Sequence, residues 1–198
     1  MTLPTLIKNY QKKVTAVRVK SAYSQVMQAI QRSEVDNGEF KSWNFVNSTS
    51  NIASKNTAFM EQYIEPYFKG MKLCSKDICQ SGISSNDRRY LLNNGTEIDF
   101  YTNYGYLHFM VDVNNIKGKN TMGYDKFYFC SGNSLNRLLP FGWYEGVTRN
   151  NIFTGYNFND GGSNHKIYCK ASSGTYDRHA CTLLLMMDGW EFKDDYPW

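Results

Sequence analysis

The residues whose types and spacing could do chemistry fall into four sets. Five cysteines, Cys74, Cys79, Cys130, Cys169 and Cys181, are many for a 198-residue chain. Cys74 and Cys79 bracket a polar stretch, Ser-Lys-Asp-Ile, and their five-residue step suits a small disulfide loop better than the two-residue gap of a zinc knuckle or redox motif. Cys169 and Cys181 flank a turn-rich segment, and closing it stabilises by about 3 kcal/mol on the chain-entropy model. The expected pairing is therefore Cys74 with Cys79 and Cys169 with Cys181, with Cys130 a buried thiol inside Phe-Tyr-Phe-Cys. Two disulfides imply an oxidising compartment. A zinc site built from cysteine with His108, His165 and His179 has no supporting spacing.

The second set is Asp112, Asn114, Asn115, Asn120 and Asp125 around a glycine-bearing turn. Asp and Asn oxygens in such alternation can ligate calcium, with Asp112, Asn114 and Asp125 as the candidate ligands. The same residues cap backbone amides in turns, and the pattern lacks the glycine and glutamate of an EF-hand loop. The third set, Cys130 with His108, has the residue types of a nucleophile and base but lies in aromatic strand-like runs. The fourth, Asp194 and Asp195, suits hydrogen bonds that fix the chain end better than glycoside hydrolysis. No P-loop, G-x-S-x-G or H-E-x-x-H occurs, so no catalytic residue is assigned and the chain is read as not an enzyme.

Charge excludes little else. Lys+Arg 22 against Asp+Glu 18 gives a net charge of +4, without the dense basic stripe that nucleic-acid binding requires. The excess lies largely in Lys8, Lys12, Lys13, Arg18, Lys20 and Arg32, a placement that fits anionic headgroups or a solvated helix face. No apolar run reaches the eighteen residues of a membrane span.

These residues must be positioned by an α+β arrangement, a long N-terminal helix packed on an antiparallel β-meander. Leu3, Leu6/Ile7, Tyr10, Val14, Val17, Ala22/Tyr23, Val26 and Ala29/Ile30 recur at three and four and predict one helix with one apolar stripe to about Ser33. Its roughly 46 Å length exceeds what a domain core needs, so part of it should protrude. Gly38 stops it. A second helix is expected over about Ser54–Phe68, ended early or kinked by Pro66. Arg89–Leu92 reads as a short strand or a turn, and strands follow at Thr96–Tyr101 after an Asn-Asn-Gly hairpin turn, Gly105–Val113, Tyr124–Cys130 and Lys166–Lys170. Residues 133–146 suggest a short helical turn and 155–164 a loop, while Ala180–Met187 fits a buried strand or a short helix. The whole reads as one domain, with the helix at 1–36, a helix-and-loop region at 37–88 and the sheet at 89–198.

Three stretches carry a resemblance. Leu3-Pro4, Tyr10, the bases that follow and the small-residue helix resemble the part of a type IV pilin or type II secretion pseudopilin that follows its membrane segment. The run from Val111 to Phe129, the end from Cys181 to Trp198 and the Cys74–Cys79 loop resemble a subgroup of bacterial proteins with prepilin-type N-termini. The cleavage and methylation motif is absent, and Asn114-Asn115 stands where Asn-Gly is typical. The resemblance implies a pilin-like fold and a structural subunit of a pilus or pseudopilus. Leu3, Ile7, Tyr10, Val14 and Val17 would then form its assembly helix, and other subunits its partners. It also implies an inner-membrane anchor upstream, with Met1 standing where that anchor has been removed, and an extracytoplasmic or filament-borne domain. Some pseudopilins hold calcium in a β-region loop. The alternative is a secreted or surface-anchored binding domain that recognises carbohydrate or protein through the aromatic loops Phe141-Gly-Trp-Tyr144 and Tyr156-Asn-Phe-Asn159.

Overall fold

The computed structural model describes residues 3–47, 50–74, 79, 87–115, 119–131, 137–159, 164–172 and 177–198. Between Pro4 and Gly38 the sequence has neither proline nor glycine, and one continuous helix, α1, spans Leu3–Asn37. Pro4 sits in the first turn, where its missing N–H is no loss. Gly38 adopts φ 77° and its N–H bonds back to Glu34 O at 3.0 Å, which ends the helix as its sequence predicts. The second helix, α2, spans Ile52–Tyr63 and gives way to a 3₁₀ turn at Glu65–Tyr67 around Pro66.

Six strands then form one antiparallel sheet in chain order: β1 Met71–Leu73, β2 Arg88–Leu92, β3 Glu97–Asn103, β4 Tyr106–Asp112, β5 Lys126–Ser131 and β6 Leu138–Pro140. Asn93-Asn94-Gly95 makes the expected tight turn between β2 and β3, with Gly95 at φ 80° and its N–H on Leu92 O. Period-two alternation places Ile98, Phe100, Leu107, Phe109, Val111, Phe127 and Phe129 on one face, all fully buried. On that face the rings of Phe100, Phe109 and Phe129 stack in succession across three strands, with centroids 5.6 and 4.7 Å apart.

The second half of α1 covers this face. Val19, Ala22, Val26, Ala29 and Ile30 are buried. The alanines let the helix approach closely, and Tyr23 packs 5.1 Å from Phe129 while its hydroxyl donates to Leu138 O at 2.9 Å. Asn56 of α2 ties in from the side, its Oδ1 accepting from both the N–H and the hydroxyl of Thr102 at 2.8 Å. The architecture is α+β.

The remainder differs from its sequence reading in two places, and in a third the structure chooses between two readings. Residues 138–140 form the edge strand β6, and the short helix lies later, α3 at Arg149–Thr154, opened by a reciprocal Thr148–Asn151 capping box. Pro140 would break a helix but is tolerated at a sheet edge. The segment read as a loop contains β7, Tyr156–Asn159, paired antiparallel with β8, Asn164–Ile167. Its Asn and Gly content hid a short alternation with Tyr156 turned inward. Ala180–Met187 resolves as a helix, α4, because it docks beside β5 and β6 and seats Thr182 Oγ1 to accept the Tyr128 N–H at 2.9 Å.

Candidate assembly surface

Residues Leu3 to Gln11 of α1 are all exposed, and the helix first meets the domain at Thr15 and Ala16. Leu3 is 70 %, Tyr10 68 % and Val17 67 % exposed, with Leu6 and Ile7 close to half. At 100° per residue, Leu3, Leu6, Ile7, Tyr10, Val14 and Val17 occupy one arc about 100° wide. The buried set from Thr15 to Ser33 centres about 150° away around the helix axis. The single stripe expected from the sequence is therefore two stripes on nearly opposite sides. The lower one faces the molecule's own sheet and the upper one faces away from it.

The spacing shows where the upper stripe stops. Leu3, Ile7, Tyr10, Val14 and Val17 alternate by four and three, the a/d pattern of a helix-packing seam. Continuing it reaches Ser21, Ser24, Gln28 and Gln31, all polar and uncharged. Arg18 fixes the helix at the changeover, its guanidinium donating to Val113 O at 2.7 Å at the end of β4. Lys13 and Lys20 flank the stripe and are exposed. Lys12 turns towards the domain, where burial and then the neighbouring Lys8 lower its pKa from the usual lysine value, opposed by Asp194. The upper stripe is a contiguous exposed apolar face, which solvated proteins seldom display without a partner. Among the described residues no helix is long and apolar enough to cross a membrane.

The other candidate residues fall elsewhere. Cys74 bonds to Cys79 and Cys169 to Cys181, the pairing the spacing predicts; Ser75 to Ile78 inside the first loop lie outside the described residues. Cys130 takes part in no disulfide and is half-buried rather than buried, because it lies on the second face of the sheet. Asp112, Asn114 and Asp125 do come together at one end of that sheet. Asp125 accepts backbone N–H bonds from Asn120 at 2.9 Å and Thr121 at 2.5 Å and a longer bond from the Asn114 side-chain Nδ2; Asp112 accepts from the Asn114 backbone N–H. The arrangement is the capping of a turn. Among the described residues no group of three or more His, Cys, Asp or Glu side chains is placed to hold a metal ion, and residues 116–118 of the turn lie outside them.

A family model described as "Family of unknown function (DUF6613)" matches residues 5–198. The chain belongs to that family. No curated protein and no solved structure matches it.

In this DUF6613 chain the aromatic loops are largely folded inward. Phe141 and Tyr156 are buried, and Tyr156 donates to Gly142 O at 2.7 Å; Tyr144 stays exposed at the rim, and Arg137 covers the face of the half-buried Trp143. His108 and Cys130 are direct cross-strand neighbours, yet His108 Nδ1 bonds to the Tyr128 hydroxyl at 2.7 Å. The side chain of His165 lies outside the described residues. The chain end is fixed, as its acids suggest: Arg149 grips Asp195 at 2.6 and 2.7 Å and Asp188 at 2.8 and 3.0 Å, while Arg178 donates to Pro197 O.

Sequence reasoning missed the acids of the second sheet face. Glu97 and Asp99 alternate outward from the core, which period two reads as solvent, yet both are buried. Burial raises Asp99 well above the usual carboxylate range, against the pull of Arg89, and raises Asp112 to about 7 and Asp87 to about 6. A carboxyl whose folded pKa is raised favours the folded state when protonated, so its contribution is present at low pH and fades as pH climbs through the folded value. The fold should accordingly be more stable at pH 5 than at pH 8 by about 2 kcal/mol or more. Asp99→Asn should reduce that difference, with Asp112 and Asp87 supplying the remainder. Urea titrations at the two pH values measure it, and equal stabilities would refute it.

Proposed function

We propose that this chain is a structural subunit of a bacterial type IV pilus or type II secretion pseudopilus, assembling through the N-terminal half of α1. The observation that carries the reading is the pair of opposed stripes. One stripe holds the helix to its own sheet and the other is left for neighbours on the opposite side. Subunits joined through the upper stripe have their helices inside and their sheets outside. That arrangement gives a filament of helices with a protein shell.

The magnitudes are adequate. Fully burying an aliphatic or aromatic side chain is worth about 1.5–3 kcal/mol, so six of them contribute roughly 10 kcal/mol before association entropy is deducted. Flanking charge then selects the geometry. Lys13 and Lys20 would repel their counterparts in a symmetric parallel pair, so neighbours are offset along the axis. An offset, head-to-tail contact propagates instead of closing. The stripe ends at Val17, where the polar Ser21, Ser24 and Gln28 begin, which sets how far the helix enters the core.

On this reading the full-length product carries an apolar anchor before Leu3, is held in the inner membrane until assembly, and displays an extracytoplasmic domain. The two disulfides support an oxidising compartment. The partners are other pilin or pseudopilin subunits, and the reading includes neither catalysis nor nucleic acid.

The test uses the full-length gene product in its own host. Wild-type protein should appear in the sheared filament fraction, and the Tyr10→Cys variant should cross-link between subunits. Ile7→Lys with Tyr10→Lys should reduce incorporation by at least about tenfold, since each places an unpaired charge in an apolar contact. Both positions are exposed in the isolated chain, so its melting temperature should not move. Wild-type protein that stays out of that fraction, with no cross-link formed by the Tyr10→Cys variant, would refute the reading.

A further inference from the structure

We propose that the upper stripe of α1 also lies flat on an anionic bilayer surface, with the folded domain held on the far side. The first observation is sign. Lys8, Lys12, Lys13, Arg18 and Lys20 are accompanied by no acid before Glu34. A helical segment with one exposed apolar arc and only basic charge, as Leu3 to Lys20 is, has the composition of an interfacial helix.

The second observation is direction. The stripe points about 150° away from the face that meets the sheet, so a bilayer beneath it does not collide with the domain. Lys13 and Lys20 stand just beyond one edge of the arc, where long side chains reach headgroups while their stems cover apolar surface. Arg18 stands beyond the other edge. Asp194 acts on Lys12, which turns towards the domain, so that acid is carried on the side away from the lipid.

Length and continuation complete the fit. Leu3 to Val17 is about 22 Å of helix, less than the roughly 30 Å a bilayer core requires, so the segment lies in the surface. Beyond it Ser21, Ser24, Gln28 and Gln31 continue the same face without an acid that anionic lipid would repel. The inference needs the exposed stripe and its charge, not the filament. Where both hold, lipid and neighbouring subunits compete for one face, so a subunit stored on the membrane and one in a filament are exclusive states.

The experiment is sedimentation of the 198-residue chain with phosphatidylcholine vesicles containing about 30 % phosphatidylglycerol, against pure phosphatidylcholine. Binding should be at least about tenfold stronger on the anionic vesicles and largely lost in about 0.5 M salt. Lys13→Gln with Lys20→Gln should weaken it about 30-fold, at about 1 kcal/mol per base. Ile7→Asp should abolish it, with an unchanged circular-dichroism melt showing that the domain remains folded. Equal binding to both vesicles, no binding to either, or wild-type binding by the lysine variant each overturns the proposal. Concentration-dependent self-association that Ile7→Asp removes, in a chain that ignores vesicles, would assign the stripe to a second copy instead.

Discussion

Gly123→Ala is expected to destabilise the domain by at least about 3 kcal/mol, lowering the melting temperature by about 10 °C. Gly123 adopts φ 74°, a conformation that costs an L-residue about 1–2 kcal/mol. The larger part of the effect comes from its surroundings. An added methyl would overlap Cys181 Cβ and lie 2.8 Å from its Sγ, with the Tyr196 hydroxyl 3.2 Å away. None of these neighbours can retreat. Cys181 is held in α4 by its disulfide, and Tyr196 donates to Gly123 O at 2.7 Å. Gly95→Ala is the control: its φ is 80°, but nothing lies within 4 Å, so only the conformational cost of about 1 kcal/mol should appear. Thermal melts of the two variants side by side decide it, and equal losses would show that packing around Gly123 contributes nothing.

Removing Cys169–Cys181 by Cys169→Ala with Cys181→Ala should cost about 4 kcal/mol. Releasing a loop of this length accounts for about 3 kcal/mol on the chain-entropy model. The rest is a packing loss, because both cysteines are fully buried between β8 and α4. Cys74→Ala with Cys79→Ala should cost only about 2 kcal/mol, because that bridge closes five residues of chain and Cys74 is not buried. Guanidinium titrations under non-reducing conditions provide the comparison. The same order should appear on reduction, with the outer bridge opening first and most of the stability retained until the inner one is lost. A larger loss from the 74–79 pair would contradict the assignment of the inner bridge as the main constraint.

Much of this molecule could be read from local pattern. The long helix follows from uninterrupted helix formers between Pro4 and Gly38, and its end from glycine's access to positive φ. The meander follows from alternation in Glu97–Asn103, Tyr106–Asp112 and Lys126–Ser131, with the Asn-Asn-Gly turn setting the first register. Both disulfides followed from spacing, because short loops between polar segments leave few geometries for closure. Docking of the chain end could be anticipated from acids and a tryptophan at a terminus that would otherwise be free.

Tertiary structure decided what periodicity leaves open. The run Ala180–Met187, apolar but for Thr182, has no period, and only the space between sheet and α3 made it a helix. Asp99 and Glu97 sit where alternation promises water, but burial of the second sheet face depends on segments distant in the chain. The two stripes of α1 are the clearest instance. Three-and-four spacing runs from Leu3 to Val17 and again from Val19 to Ala29, with a step of two between them, but local spacing carries no record of which arc a remote sheet will cover. Contact with Phe129 and the strands beside it assigned the lower residues to the core. By doing so it left Leu3, Ile7, Tyr10, Val14 and Val17 facing the other way: the sequence determined that these side chains are apolar and aligned, and the fold determined that the domain's own sheet does not cover them.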